Sequence, residues 1–271
     1  MATVNNTNNY GTSRYIVNST AGLGNYTTIA SAITQASADG GGDIFIMPGT
    51  YTENLTMVAG VNLVSNTASS TDPSTIIVGK ITCNYVGSCS ISGICLQTNS
   101  DYCITSTTTQ ATVLNLENCL INCANNVGMF SNNSSFKMRI YECTAKSTGN
   151  IALYTFTSIS EADLVACDFQ LGSSVSNFSN VGAGGLVRYL ACKTNYPVST
   201  TSSGIIDLNN TYMDSNSANS IFVQTAGTAT SYITNSKIVS GTASAVKVGS
   251  GTTCIMNYVS ISSSNSKQIT S

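Results

Sequence analysis

From Cys89 to Ile261 one arrangement of apolar and polar positions returns eight times: apolar, x, apolar, x, x, small, x, apolar. It reads CSISGICL, LNLENCLI, MRIYECTA, ADLVACDF, VRYLACKT, IDLNNTYM, SYITNSKI and CIMNYVSI, and the starting positions step by 25, 24, 24, 25, 19, 25 and 23 residues. IFIMPGTY, at Ile44 to Tyr51, is a degenerate earlier copy. Each copy predicts a short strand, a two-residue corner and a second short strand. The corners are polar or small, as at Ser92-Gly93, Glu117-Asn118, Asn209-Asn210 and Thr234-Asn235. A further apolar patch follows about ten residues later, as in Gly128 to Phe130, Ala152 to Tyr154, Ser220 to Val223 and Ser244 to Val248. Two or three strands per unit, with no helix between, predict an all-β fold. The expected form is a single-stranded parallel β-helix whose coils stack their inward residues.

The first forty residues read differently. Ile29, Ala32, Ile33 and Ala36 share one helical face, with Thr27 or Thr28 as the cap and Gly40, Gly41 and Gly42 closing the segment. A short helix there would cover the first coil, whose bare strand edges would otherwise invite aggregation. The chain is therefore divided into an extended Asn-rich arm (1–15), a first strand with its capping helix (16–42) and the parallel β-helix (43–271).

On these residues the chain resembles a known family. The segment TTIASAITQASADGGGDIFIMPGTYTENLTM followed by VNLVS is similar to the opening of pectin-lyase-like right-handed β-helix proteins. The later coils, such as SGTASAVKVGSGTTCIMNYVSISSSN, resemble repetitive β-helical fibre and tailspike proteins of phage and other virions. That scaffold hosts lyases, esterases, hydrolases and adhesins, so the resemblance speaks to fold before function.

Composition narrows the function. Only 8% of the 271 residues are charged and the formal net charge is −2, against about 25% charged in ordinary domains. The surface must consist largely of Ser, Thr, Asn and Gly, as in extracellular fibres and virion proteins. No basic cluster offers a nucleic-acid site. No apolar run reaches the roughly 20 residues of a membrane span, and no secretory signal is visible. The chain contains no histidine, which removes Ser-His and Cys-His pairs, histidine bases and histidine metal sites together. No cofactor or metal site is expected.

Three sets of side chains invite chemistry. Cys119, Cys143, Cys167 and Cys192 all occupy the small position of the repeat. Coils lie about 4.8 Å apart, within reach of disulfide geometry. Ile94, Thr211, Ser236 and Val259 fill the same slot elsewhere, so the expectation is a reduced internal thiol ladder of small buried residues. Phe130, Tyr154 and Phe178 recur every 24 residues, which is read as an interior aromatic column continued by Phe222 and Val246 rather than a sugar platform. Val246 and Val248 flank Lys247, which is expected to point outward.

The third set is a charged stripe. The middle residue of the first strand should face solvent, and that column reads Asn115, Arg139, Asp163, Arg188, Asp207, with Lys137 and Glu161 two residues earlier. As a structural feature it is a salt ladder that fixes coil register, worth about 0.2–1 kcal/mol per pair. Flanking Arg side chains should also lower the Asp163 pKa. As the family resemblance implies, Asp163 and Asp207 could instead act as nucleophile or base on a uronate, with Arg139 and Arg188 holding the sugar carboxylate. Turns 66–75 and 196–204 would then wall a groove. The esterase motifs Q-D-T-L-Y, D-F-I-F-G and L-G-R-P-W are absent, the G-H-G of polygalacturonases is impossible without histidine, and no calcium-binding Asp cluster of the pectate-lyase kind occurs.

The expected protein is thus a non-enzymatic fibre-type structural protein of the virion surface or extracellular space. Its expected partners are further copies of itself, as a trimer or within a larger assembly, other virion proteins and a cell-surface glycan. The alternative is a polysaccharide lyase or esterase using the stripe.

Overall fold

A computed structural model describes residues 15–271 except 67–69, 99–101, 124–127, 148–153, 172–178, 183, 196–197, 201–202, 216–221, 225–227, 229, 242–244, 264–268 and 271. Residues 1–14 of the expected arm, Phe178 and part of each expected groove wall lie outside the described residues, while Tyr15 is buried and opens the strand Tyr15–Val17.

The fold is a parallel β-solenoid with one short helix. Three faces run along it. The first carries Gly42–Ile46, Val61–Val64, Gly87–Ser92, Thr112–Glu117, the end of Met129–Tyr141, the end of Tyr154–Val165, Leu186–Leu190, Ile205–Asn209, Thr230–Thr234 and Thr253–Asn257. The second face is a separate ten-stranded sheet running from Gly49–Thr52 to Ser260–Ser263. The third includes Ile104–Ser106, Val198–Thr200, Phe222–Gln224 and Val246–Val248, and joins the first through the long strands Met129–Tyr141 and Tyr154–Val165.

The alternation seen in the sequence decides which side chains go inside. On the first face Ile44, Leu63, Ile91, Leu116, Ile140, Leu164, Tyr189, Leu208, Ile233 and Met256 form one register column. All but Met256 are buried. Each such side chain contributes roughly 1.5–3 kcal/mol by leaving water. A one-residue slip would expose the whole column, which is why its register is so strongly specified.

The corner between the first and second faces repeats one backbone conformation. Gly93, Asn118, Glu142, Ala166, Ala191, Asn210, Asn235 and Tyr258 all have positive φ, from 49° to 70°. Only glycine takes this region without cost, and asparagine tolerates it better than most residues.

The two ends differ. Helix Ile29–Ala38 buries Ile29, Ala32, Ile33 and Ala36 against the first coils, with Thr28 as its cap. At the other end Cys254, Met256, Val259 and Ile261 are only partly buried.

The aromatic column is corrected in part. Met129 pairs with Tyr154, and Phe130 with Thr155. Tyr154 is buried, while Phe130 is half-exposed and stacks on Tyr102, 4.7 Å between ring centroids. Irregular pairing beyond Ser131 lets the two faces run at different steps, so a 24-residue spacing on one does not carry to the other. Phe222 and Val246 do share a buried column, and Lys247 is exposed.

Candidate functional site

The outward column of the first face runs Ser90, Asn115, Arg139, Asp163, Arg188, Asp207, Tyr232, Ile255 in unbroken register. Strand alternation puts these side chains on the solvent side, because their neighbours in sequence fill the core. Lys137 and Glu161 form the adjacent outward column.

Arg188 is the centre of the ionic contacts. Its Nε donates to Asp163 Oδ1 at 2.6 Å, and its terminal nitrogen pairs with Glu161 Oε1. Glu161 also meets Lys137 Nζ at 3.2 Å. One guanidinium therefore joins two carboxylates of the neighbouring coil, a use that its planar fork of donors suits. Arg139 is exposed and makes no ion pair within 4 Å among the described residues.

The expected lowering of the Asp163 pKa is not what the site produces. Burial against the sheet raises its carboxyl above the ordinary value, against the downward pull of Arg139 and Lys137. Asp207 is raised for the same reason, with Arg188 pulling it down. Alternating charges alone suggested the opposite sign, because the sequence does not show how far the carboxyls sink between strands.

Beside the stripe lies a hollow of about 270 Å³. Asp163, Arg188 and Asp207 form one side. Tyr141, Val165, Leu190 and Asn209, the residues just before each corner, form the other. Tyr141 and Leu190 are 39% and 43% exposed, unusual for large apolar side chains among such polar neighbours. The repeat contained a signal for this second row: it sits two residues beyond the stripe and faces outward in every coil. None of the described residues of either expected wall lines it. Ser70, in turn 66–75, reaches Thr144 of the second face, Oγ to Oγ1 3.1 Å, and Val198–Thr200 is a strand of the third face.

Cys119, Cys143, Cys167 and Cys192 are buried free thiols directly after the corner residues. Their Sγ–H groups reach backward across the corner, Cys143 to Tyr141 O at 3.2 Å and Cys167 to Val165 O at 3.3 Å, while Cys192 lies 3.5 Å from Leu190 O and nearer, at 3.1 Å, to Leu164 O of the preceding coil. Thr211 and Ser236 make the same bond to Asn209 O and Thr234 O, at 3.1 and 2.7 Å. The Cys119 N–H donates to Cys143 Sγ at 3.3 Å, and the Thr211 N–H to Ser236 Oγ at 3.1 Å. In six of the eight coils the slot holds a small side chain with a hydrogen to donate, and Ile94 and Val259 fill it in the other two. Thiol-to-thiol hydrogen bonding with the Cys119 side chain, together with burial, raises the Cys143 thiol far above its usual range, against the downward pull of the Cys119 N–H.

Among the described residues no cluster of three or more His, Cys, Asp or Glu side chains could hold a metal ion. No described helix is long and apolar enough to cross a membrane.

No protein-family model matches the sequence, and no curated protein matches it. Solved structures do. Pectin methylesterase from carrot superposes with a TM-score of 0.51 at 13% identity, over 94% of this chain and 84% of that one. The ORF18 protein of Geobacillus virus E2 gives a TM-score of 0.40 at 13% identity, over 87% of this chain and 56% of that one. At this identity the carrot enzyme establishes a shared pectin-lyase-like β-helical fold.

Proposed function

We propose that the protein is a non-enzymatic, fibre-type structural protein whose rigid solenoid presents a weakly charged surface for attachment to a glycan. It would act as a homo-oligomer at a virion surface or in the extracellular space. The observation that carries this reading is the engagement of Arg188 with both Glu161 and Asp163. An arginine that holds two carboxylates of its own chain has its charge matched before any substrate arrives. Its contacts serve coil register, as expected of a cross-strand ladder. The low charge and the Ser/Thr/Asn surface support an attachment role, in which repeated copies raise avidity without a deep pocket.

One observation favours a second reading. Asp207 has no ion-pair partner within 4 Å among the described residues, and burial raises its carboxyl. Those are properties of a general acid or base in a polysaccharide lyase or esterase.

Incubation with a panel of bacterial and plant polysaccharides separates the two. The expected result is no new reducing ends, unsaturated products or released ester groups from the folded wild type. Cleavage by the wild type that is lost in both Asp163→Asn and Asp207→Asn would make the stripe an active site.

A further inference from the structure

We propose that the hollow bounded by Tyr141, Leu190, Asp163, Asp207 and Asn209 binds an uncharged saccharide, a neutral hexose or an N-acetylhexosamine, through one or two sugar rings. This rests on the attachment reading above and assigns it a place.

The argument starts from the two rows that line the hollow. They are adjacent outward columns of one sheet, so they run side by side along the solenoid. One is polar, Asp163, Arg188 and Asp207; the other begins with the apolar Tyr141, Val165 and Leu190 and ends with Asn209. A pyranose has the matching division, with a C–H face that packs on aromatic or aliphatic carbon and a rim of hydroxyls that bond to carboxylates and amides. The rows cross four coils, a length of roughly 14 Å at about 4.8 Å per coil. With a volume near 270 Å³, that accommodates a short saccharide end and is too small for an extended helix or strand of protein.

Charge then selects among sugars. Two carboxylates, Asp163 and Asp207, line the hollow against one cation, Arg188, whose charge Glu161 also shares. Arg139 and Lys137 do not line it. A uronate or sialic acid would add a third negative charge with no unshared cation in the lining to receive it, since Arg139 stands one coil beyond Asp163, and like charges repel. A neutral ring meets no such opposition. Asp207, which makes no ion pair with this chain among the described residues, is free to accept sugar hydroxyls, and Asn209 offers both a donor and an acceptor.

The test uses the full 271-residue chain. Saturation-transfer NMR and a glycan array compare neutral hexose and N-acetylhexosamine oligosaccharides with uronate and sialylated ones. Variants are Tyr141→Ala, Asp207→Ala and Leu190→Ser, with Lys247→Ala on the third face as a distant control; thermal unfolding checks each fold. Neutral glycans should bind, the three hollow variants should weaken binding at least tenfold, and Lys247→Ala should leave it unchanged. Binding restricted to acidic glycans, or indifferent to all three hollow variants, overturns the site while leaving glycan attachment standing. If the folded wild type binds no glycan in either format, both readings fall. If Tyr141→Ala instead converts an oligomer to monomer in sedimentation, the hollow is a subunit interface and the proposal fails.

Discussion

The Glu53 carboxylate, on the first coil, accepts the backbone N–H of Ile29 at 2.9 Å, and its other oxygen accepts that of Ala30 at 3.0 Å. These are the first N–H groups of the only described helix, which have no partner within the helix itself. A carboxylate also complements the positive end of the helix dipole. Glu53→Ala should lower unfolding free energy by about 1 kcal/mol in urea titrations. An unchanged midpoint would mean that water serves these groups equally well.

The corner thiols yield a prediction about chemical type. Because Ser236 and Thr211 make the bond that Cys167 makes, Cys167→Ser should stay within about 1 kcal/mol of wild type. Cys167→Leu removes the donor and overfills the slot, and should cost about 1–3 kcal/mol. Equal losses from both variants would show that volume alone governs the position.

Ala191 sits at φ 55°, where its Cβ crowds the following carbonyl. Ala191→Gly should stabilise the fold. The relief of roughly 1–2 kcal/mol is offset in part by about 0.5–1 kcal/mol of added backbone entropy in the unfolded chain. A lower midpoint in thermal or urea unfolding would place another constraint on that Cβ.

Stability should fall in alkali. Burial raises the Cys89 and Cys95 thiols from 9.0 to about 11. An unfolded thiol ionises first, so these groups favour the fold fully below pH 9, and their contribution is lost as pH rises towards 11. Within that window Cys89 alone gives a slope of about 1.4 kcal/mol per pH unit. With no histidine in the chain, no imidazole contributes to the profile between pH 6 and 8. Urea midpoints at pH 7, 8 and 10 check this; a flat line through pH 10 would contradict the burial of these thiols.

The solenoid and its inner column are legible because a strand alternates with period two and six of the seven steps between copies of the repeat are 23 to 25 residues. The sequence spacing alone places Arg139, Asp163, Arg188 and Asp207 in one column, and they pair in that order. The third face was less legible, since irregular pairing in Met129–Tyr141 breaks the step and puts Tyr154 opposite Met129 instead of Phe130. The partners of Arg188 were only half visible: Asp163 follows from the column, but Glu161 is reached diagonally, through a long side chain whose direction spacing does not specify. Tyr141 and Leu190 are not legible as site residues, because a large apolar residue at a strand end reads as core until the corner shows it facing water.

The left-handed corner that recurs from Gly93 to Tyr258 makes the molecule a ruler. Each of these coils turns through the same backbone conformation after the same strand, so differences in coil length are taken up on the opposite side and do not displace the marks. Chemical groups on the first face therefore fall at intervals of about 4.8 Å, and which group stands at each mark is independent of how the coil is closed. A new pattern of contacts can be written by exchanging outward residues one mark at a time, while the inward ones keep the scale.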